Sequence, residues 1–127
     1  HAITVWGKEN LDEISISGPT MVGELKDGRI NEYEVHPEKF GLPVHDPRAL
    51  RAATVEDSRG MILAALDNKG GAPRDIVALN AGAAIYASGR VPTFEDGVET
   101  AFEAIAGGAA RAKLDEFVRF TQKFARG

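Results

Sequence analysis

Cysteine is absent from the 127 residues. Disulfides and thiolate-held metals are therefore excluded, and the composition is compatible with a reducing cytoplasm. No apolar run approaches the ~20 residues that cross a bilayer. The chain does not open with a basic stretch followed by an apolar block, so no secretory signal is expected. The expected location is the cytoplasm, with no membrane partner. Excess positive charge is missing too: 15 Lys and Arg face 19 Asp and Glu, for a formal net charge of −4. Nucleic-acid binders carry a basic patch or stripe. Here the basic residues are scattered, except from Arg119 to Arg126, where Phe120 and Phe124 interleave with them. That run reads as the solvated face of a last helix, and no nucleic-acid partner is expected.

Catalytic equipment is sparse. There is no nucleophile elbow and no phosphate loop of the usual glycine pattern. Gly70-Gly71 and Gly107-Gly108 read as helix stops, not as the helix openings that cradle phosphate. No Ser, His and Asp set can be assembled from spacing. Of the three histidines, His36 and His45 lie near prolines in a connecting loop, with no register that makes them a metal pair. His1 is a candidate tag remnant. An initiator Met is absent, and an apparent buried strand begins by residue 3, where native domains more often start with a frayed segment. An engineered start, a tag remnant at His1 or a cleaved fragment would each account for this.

What is present is ordinary for one globular domain: 43% apolar and 27% charged residues. A chain this long can bury about two-thirds of its unfolded surface. Residues 2–35 read as β-rich and residues 54–125 as helical, joined by a loop with Pro37, Gly41, Pro43 and Pro47. Ile3 to Trp6 reads as a strand and Gly7 to Asn10 as a turn. Ile14-Ser15-Ile16-Ser17 alternates as a half-buried strand does. In the next strand Met21, Gly23 and Leu25 share a face. Asp27-Gly28 supplies a hairpin turn tolerant of positive φ. The return strand, Ile30 to Val35, puts Tyr33 and Val35 on one face and Glu32 and Glu34 on a wet one. Glu24, Glu32 and Glu34 read as solvating an exposed sheet face, with a second acidic site as the alternative.

The second half holds four helical segments. Thr54 with Asp57 is a capping signature, and Ile62, Leu63 and Leu66 form the stripe that follows. Gly70-Gly71 and Pro73 end that helix. Asp75 to Ser88 is apolar nearly all round, as buried helices are. Asn80 within it reads as a satisfied buried amide, with substrate contact as the alternative, and Tyr86 as packing. Thr93 caps the third helix, with Glu95 and Asp96 in its first turn and Val98, Ala101, Phe102 and Ile105 as its stripe. Leu114, Phe117, Val118 and Thr121 form the stripe of the last. These stripes read as core.

One constellation carries chemistry. Asp12 and Glu13 stand side by side in a loop just past the first strand, and ligands of open α/β sheets bind at strand ends. Paired carboxylates suit a hard cation such as Mg²⁺, which takes only one or two protein carboxylates and fills its octahedron with water and substrate phosphate. Adjacent acids are also very common on ordinary surfaces, and on spacing alone that plain reading is the favoured one.

The blocks around the pair extend this reading. Leu11-Asp12-Glu13-Ile14-Ser15-Ile16-Ser17-Gly18-Pro19-Thr20 resembles the anthranilate phosphoribosyltransferases. The likeness continues through Gly23 to Gly28, Glu32-Tyr33 and Pro37 to Leu42. It resumes from Arg74 to Tyr86 and at Asp96-Gly97-Val98. The blocks follow the family's order and cover nearly the whole chain, but only the C-terminal part of that family's chain. The resemblance implies part of a nucleoside phosphorylase/phosphoribosyltransferase-type α/β domain, a β-hairpin region followed by four helices. Residues 1–127 would form one partial domain. The N-terminal helices that form the family's dimer interface, the glycine-rich donor loop and the anthranilate-binding segments would lie outside it.

By that resemblance Asp12 and Glu13 match the acidic pair that coordinates Mg²⁺ on the pyrophosphate of phosphoribosyl pyrophosphate. The metal neutralises and orients the leaving pyrophosphate, and the anthranilate amine attacks the ribosyl carbon in tryptophan biosynthesis. The intact protein would be a homodimeric glycosyltransferase, and the chain alone is expected to be inactive. Three departures are visible: Asn10 where the family often has Gly, Trp6-Gly7 where His-Gly is common, and Val55 to Ser58 in place of a frequent Glu-Asn-Ala pattern. The alternatives are a pyrimidine nucleoside phosphorylase, which shares the fold, and a non-catalytic paralogue that binds nucleic acid. The likeness beyond Asp12-Glu13 argues against the first. The acidic balance and the retained pair argue against the second.

Overall fold

A computed structural model describes residues 1–124 and divides them into a sheet and a helical layer. Strands β1 (Ala2–Gly7), β2 (Thr20–Lys26) and β3 (Arg29–Val35) form an antiparallel sheet in that order. The β2–β3 hairpin turns at Asp27 and Gly28, with φ of 51° and 74°. Two short 3-10 turns follow, Pro37–Phe40 and Pro47–Leu50. Helices α1 (Val55–Leu66), α2 (Ala72–Ala87), α3 (Phe94–Ala106) and α4 (Ala109–Gln122) complete the described chain. The expected hairpin region followed by four helices is what forms.

Helix α2 is the centre. Its Ile76, Leu79, Ala83 and Tyr86 pack in one cluster with Ile14, Ile16, Val22 and Val35 of the β region and with Phe94 and Val98 of α3. Glycine sets the α2–α3 spacing. A Cβ on Gly82 would sit 2.6 Å from Val98 Cα, and one on Gly97 2.3 Å from the Gly82 carbonyl oxygen. Only bare backbone fits where the helices cross. The caps are as expected: Thr54 and Asp57 form a reciprocal capping box on α1, and Thr93 accepts from the Asp96 amide on α3.

Several expectations fail, each for an identifiable reason. Ile14 to Ser17 is not a strand. Ile14, Ser15 and Ile16 are buried in succession in an irregular loop, whose backbone is held by side chains instead of a ladder. In β2 Met21, Gly23 and Leu25 do share a face, but the core face is that of Thr20, Val22 and Glu24. Alternation fixes which residues share a face but not which face is inside. Glu24 therefore stands on the opposite face from Glu32 and Glu34, and it is only 7% exposed.

The glycine pairs do more than stop helices: Gly71 is the N-cap of α2 and Gly108 that of α4. Pro73 accordingly lies in the first turn of α2. On α1, Ile62 of the expected stripe is exposed. The α4 stripe is not core either: Phe117 is 61% and Val118 42% exposed. The described residues offer α4 only a shallow seat on α1 and α3, so its apolar face stays open. Phe120 and Phe124 are exposed with it, and Arg126 lies outside the described residues. No helix among the described residues is long and apolar enough to cross a membrane.

Candidate functional site

The acidic pair sits where β1 folds back on itself. Gly7 and Leu11 form an isolated bridge, the Gly7 amide donating to the Leu11 carbonyl at 2.9 Å and the Leu11 amide to the Gly7 carbonyl at 3.2 Å. A Cβ on Gly7 would lie 2.9 Å from Leu11 Cβ and 3.3 Å from the Glu13 carbonyl oxygen. Glycine is thus required by the close approach. The reversal places Asn10 at φ 68°. That left-handed region favours Gly, and Asn tolerates it better than most residues. Asn10 therefore preserves the conformation that the more common glycine would give.

Beyond the reversal, the backbone is fixed from several directions. The Ile14 amide donates to Asn80 Oδ1 at 2.8 Å, and Asn80 Nδ2 donates to the Ile14 carbonyl at 2.9 Å. Asn80 Nδ2 also reaches the Ile76 carbonyl of its own helix at 3.0 Å. The Ser15 amide donates to Thr20 Oγ1 at 2.9 Å, and the Ser15 hydroxyl donates to the Glu9 carboxylate. The His45 amide donates to the Ile16 carbonyl at 3.0 Å. So Asn80 is a satisfied amide, as expected. Sequence reasoning missed its partner, a loop residue 66 positions away.

Asp12 and Glu13 emerge exposed from this anchored segment. Partial burial first, and the Asp12 charge second, push the Glu13 carboxyl above its ordinary range. No cation among the described residues answers Glu13 in that balance. The two buried carboxylates, by contrast, are answered. Asp75 Oδ1 accepts from Arg74 Nε at 3.0 Å and Nη2 at 2.8 Å, and His45 Nε2 lies 2.9 Å from its Oδ2. Glu24 accepts from the Tyr86 hydroxyl at 2.7 Å and the Tyr33 hydroxyl at 3.1 Å, with His1 Nε2 at 2.7 Å. Lys26 Nζ donates to the Tyr86 hydroxyl at 3.2 Å. Both tyrosines titrate above their ordinary value, Tyr33 mainly through burial and Tyr86 mainly through Glu24. Tyr86 therefore does more than pack.

The histidines do not pair: His45 serves Asp75, and His36 Nδ1 lies 3.3 Å from Glu38. No three metal-ligating side chains converge among the described residues. The chemistry on offer is two adjacent oxygen donors with a negative charge and open coordination. That set fits Mg²⁺ shared with a ligand's own oxygens, and it does not fit a closed protein cage. The strands around it are antiparallel, so the crevice rule for parallel sheets does not by itself mark the loop.

Comparison with known proteins gives the chain a family. Residues 1–111 match the glycosyl transferase family, a/b domain. The anthranilate phosphoribosyltransferase of Burkholderia ambifaria is 52% identical over 126 residues, 99% of this chain and 37% of that protein. That of Ralstonia pickettii is 54% identical over 124 residues, 98% of this chain and 36% of that one. The chain thus spans a little over a third of these relatives' length. Among solved structures, the anthranilate phosphoribosyltransferase of Thermus thermophilus superposes with a TM-score of 0.83 at 32% identity, over 95% of this chain and 36% of that one. The Saccharomyces cerevisiae enzyme in complex with PRPP and Mg gives 0.77 at 25% identity, over 92% and 34%.

Proposed function

Because the chain belongs to the glycosyl transferase family through that family's a/b domain, we propose that it supplies the metal-holding part of a phosphoribosyltransferase active site. The complete protein transfers phosphoribosyl from phosphoribosyl pyrophosphate to anthranilate, a step of tryptophan biosynthesis. The carrying observation is the pair Asp12-Glu13: exposed, adjacent, presented by an anchored loop, and unanswered by any described cation in the balance around Glu13. Mg²⁺, when bound, offsets the charge of the departing pyrophosphate. Asp12 and Glu13 hold it. The reversal at Gly7 and the bonds at Ile14, Ser15 and Ile16 keep the two carboxylates from drifting apart while substrate enters. Relatives named as anthranilate phosphoribosyltransferases, and one solved with PRPP and Mg, support the substrates and the metal.

The complete enzyme is proposed to be a cytoplasmic homodimer, its remaining substrate contacts lying in residues outside this chain. The test is direct. The complete protein, given phosphoribosyl pyrophosphate, anthranilate and Mg²⁺, consumes anthranilate, followed by its fluorescence, and stops when the metal is chelated. Residues 1–127 alone give no turnover. Anthranilate consumption that is unaffected by chelation, or none by the complete protein, would overturn the assignment.

A further inference from the structure

We infer that Asn80 is a positioning residue for the Asp12-Glu13 pair, setting where the two carboxylates stand by gripping the backbone next to them from helix α2. The inference rests on the metal reading of the pair. Ile14 follows Glu13 directly, and its amide and carbonyl are both held by one side chain, at 2.8 and 2.9 Å. This is the pattern a neighbouring strand would provide, delivered by a carboxamide in place of a strand. The third bond, to the Ile76 carbonyl at 3.0 Å, fixes the amide against its own helix. Ile76 and Leu79 on the same helix lie in the main core, so the grip is referenced to the most buried element of the fold. Without it the Ile14 backbone would lose both partners in a buried setting. The loop would then shift to find others, and the pair would move with it. Sites that must hold a small ion tolerate little such movement.

The experiment uses the complete protein and a readout other than turnover. Mn²⁺ titration with inorganic pyrophosphate, followed by electron paramagnetic resonance, reports metal affinity. Hydrogen exchange of the segment Leu11 to Ile16 reports the grip. Asn80→Ala is expected to weaken Mn²⁺ affinity about tenfold and to speed exchange of the segment, with little change in turnover once Mg²⁺ saturates. Asn80→Ser is the second variant. Its hydroxyl can bond the Ile76 carbonyl within the helix but is too short to grip Ile14, so it should fold and show the same loss. Thr93→Ala, which removes the α3 cap, controls for lowered stability and should leave affinity unchanged. If both Asn80 variants bind Mn²⁺ like the parent while Asp12→Asn and Glu13→Gln do not, the positioning role is refuted and the proposed function stands. If the acid variants also bind like the parent, the metal reading falls and this inference falls with it.

Discussion

Glu24 and Asp75 are buried and fully answered; Asp12 and Glu13 are exposed, with no side-chain partner among the described residues. The buried carboxylates each sit among donors drawn from separate elements, two tyrosines and a histidine for Glu24, an arginine and a histidine for Asp75. Removing a charge from water is costly, and such acids survive only with partners. The loop pair faces the reverse situation. It can stay ionised because water reaches it, yet partial burial and the Asp12 charge raise the cost of ionising Glu13. A protein that merely tolerated this charge would gain by losing it. The backbone beneath, bonded at Ile14, Ser15 and Ile16, supports the proposal that the charge is presented, not shed. The answered, buried carboxylates hold this fold; the exposed loop pair is the one proposed to work.

The division can be broken most sharply by neutralising the pair. Asp12→Asn with Glu13→Gln in the complete protein should lower Mg²⁺-dependent turnover about 1000-fold, about 4 kcal/mol of barrier. Anthranilate binding should survive. The melting temperature should not fall, because a repulsion has been removed. Lost turnover accompanied by a melting point many degrees lower would place the pair with the structural acids. The opposite pattern is expected at Asp75. Asp75→Ala strands Arg74 and His45 beside the core and should cost about 3 kcal/mol in urea unfolding, the low end for a broken buried pair because both partners keep some solvent. Turnover per folded molecule should change little.

How far this division could be read beforehand differs by residue. The Asp27-Gly28 turn, the caps at Thr54 and Thr93, and the burial of α2 follow from local chemistry, and all are present. Glu24 could not be read. Nothing near it in sequence announces that Tyr86, 62 residues on, supplies a donor, so its burial on the core face contradicts its local pattern. The loop at Ile14 to Ser17 failed similarly. Alternating residues look like a strand wherever they occur, and only the side chains of Asn80 and Thr20 reveal that the backbone is satisfied otherwise. On α4 the stripe was legible and its burial was not, because a stripe says that a face seeks cover without saying which residues provide it. Asp12 and Glu13 were visible as a pair, while the backbone grip beside them, from Asn80 to Ile14, belongs to long-range structure.

A smaller effect should sharpen the structural side. Tyr86→Phe removes one donor to Glu24 and leaves Lys26 without its hydroxyl partner, for a loss of about 1.5 kcal/mol in urea unfolding. The alkaline limb should report the same cluster. Tyr33 and Tyr86 both titrate above their ordinary value in the folded protein. A raised value contributes stability below the unfolded pKa, about 10, and loses it as pH climbs through the folded value. Unfolding midpoints should therefore drop above about pH 10, and Tyr33→Phe should flatten that drop. An unchanged slope in the variant would remove Tyr33 from the cluster's energetics.

The smallest effect bears on the loop pair itself. Glu13 is raised above 4.5, first by partial burial and then by Asp12. Its folded form prefers the proton, so its contribution to stability is full in acid and fades as pH rises through the folded value. Above that value the parent should melt slightly below Glu13→Gln, by a degree or two at most for a partly exposed group. Below it the two should converge. Mg²⁺ competes with the proton for the same oxygens. Added Mg²⁺ should raise the melting temperature of the parent at neutral pH, and the gain should vanish in acid and in Glu13→Gln. The three responses have one origin, a carboxylate held beside another with nothing among the described residues to neutralise it. A parent whose melting point ignores Mg²⁺ at neutral pH, with pyrophosphate present, would mean that the repulsion is simply endured. The contrast between working and structural acids would then collapse into a difference of exposure.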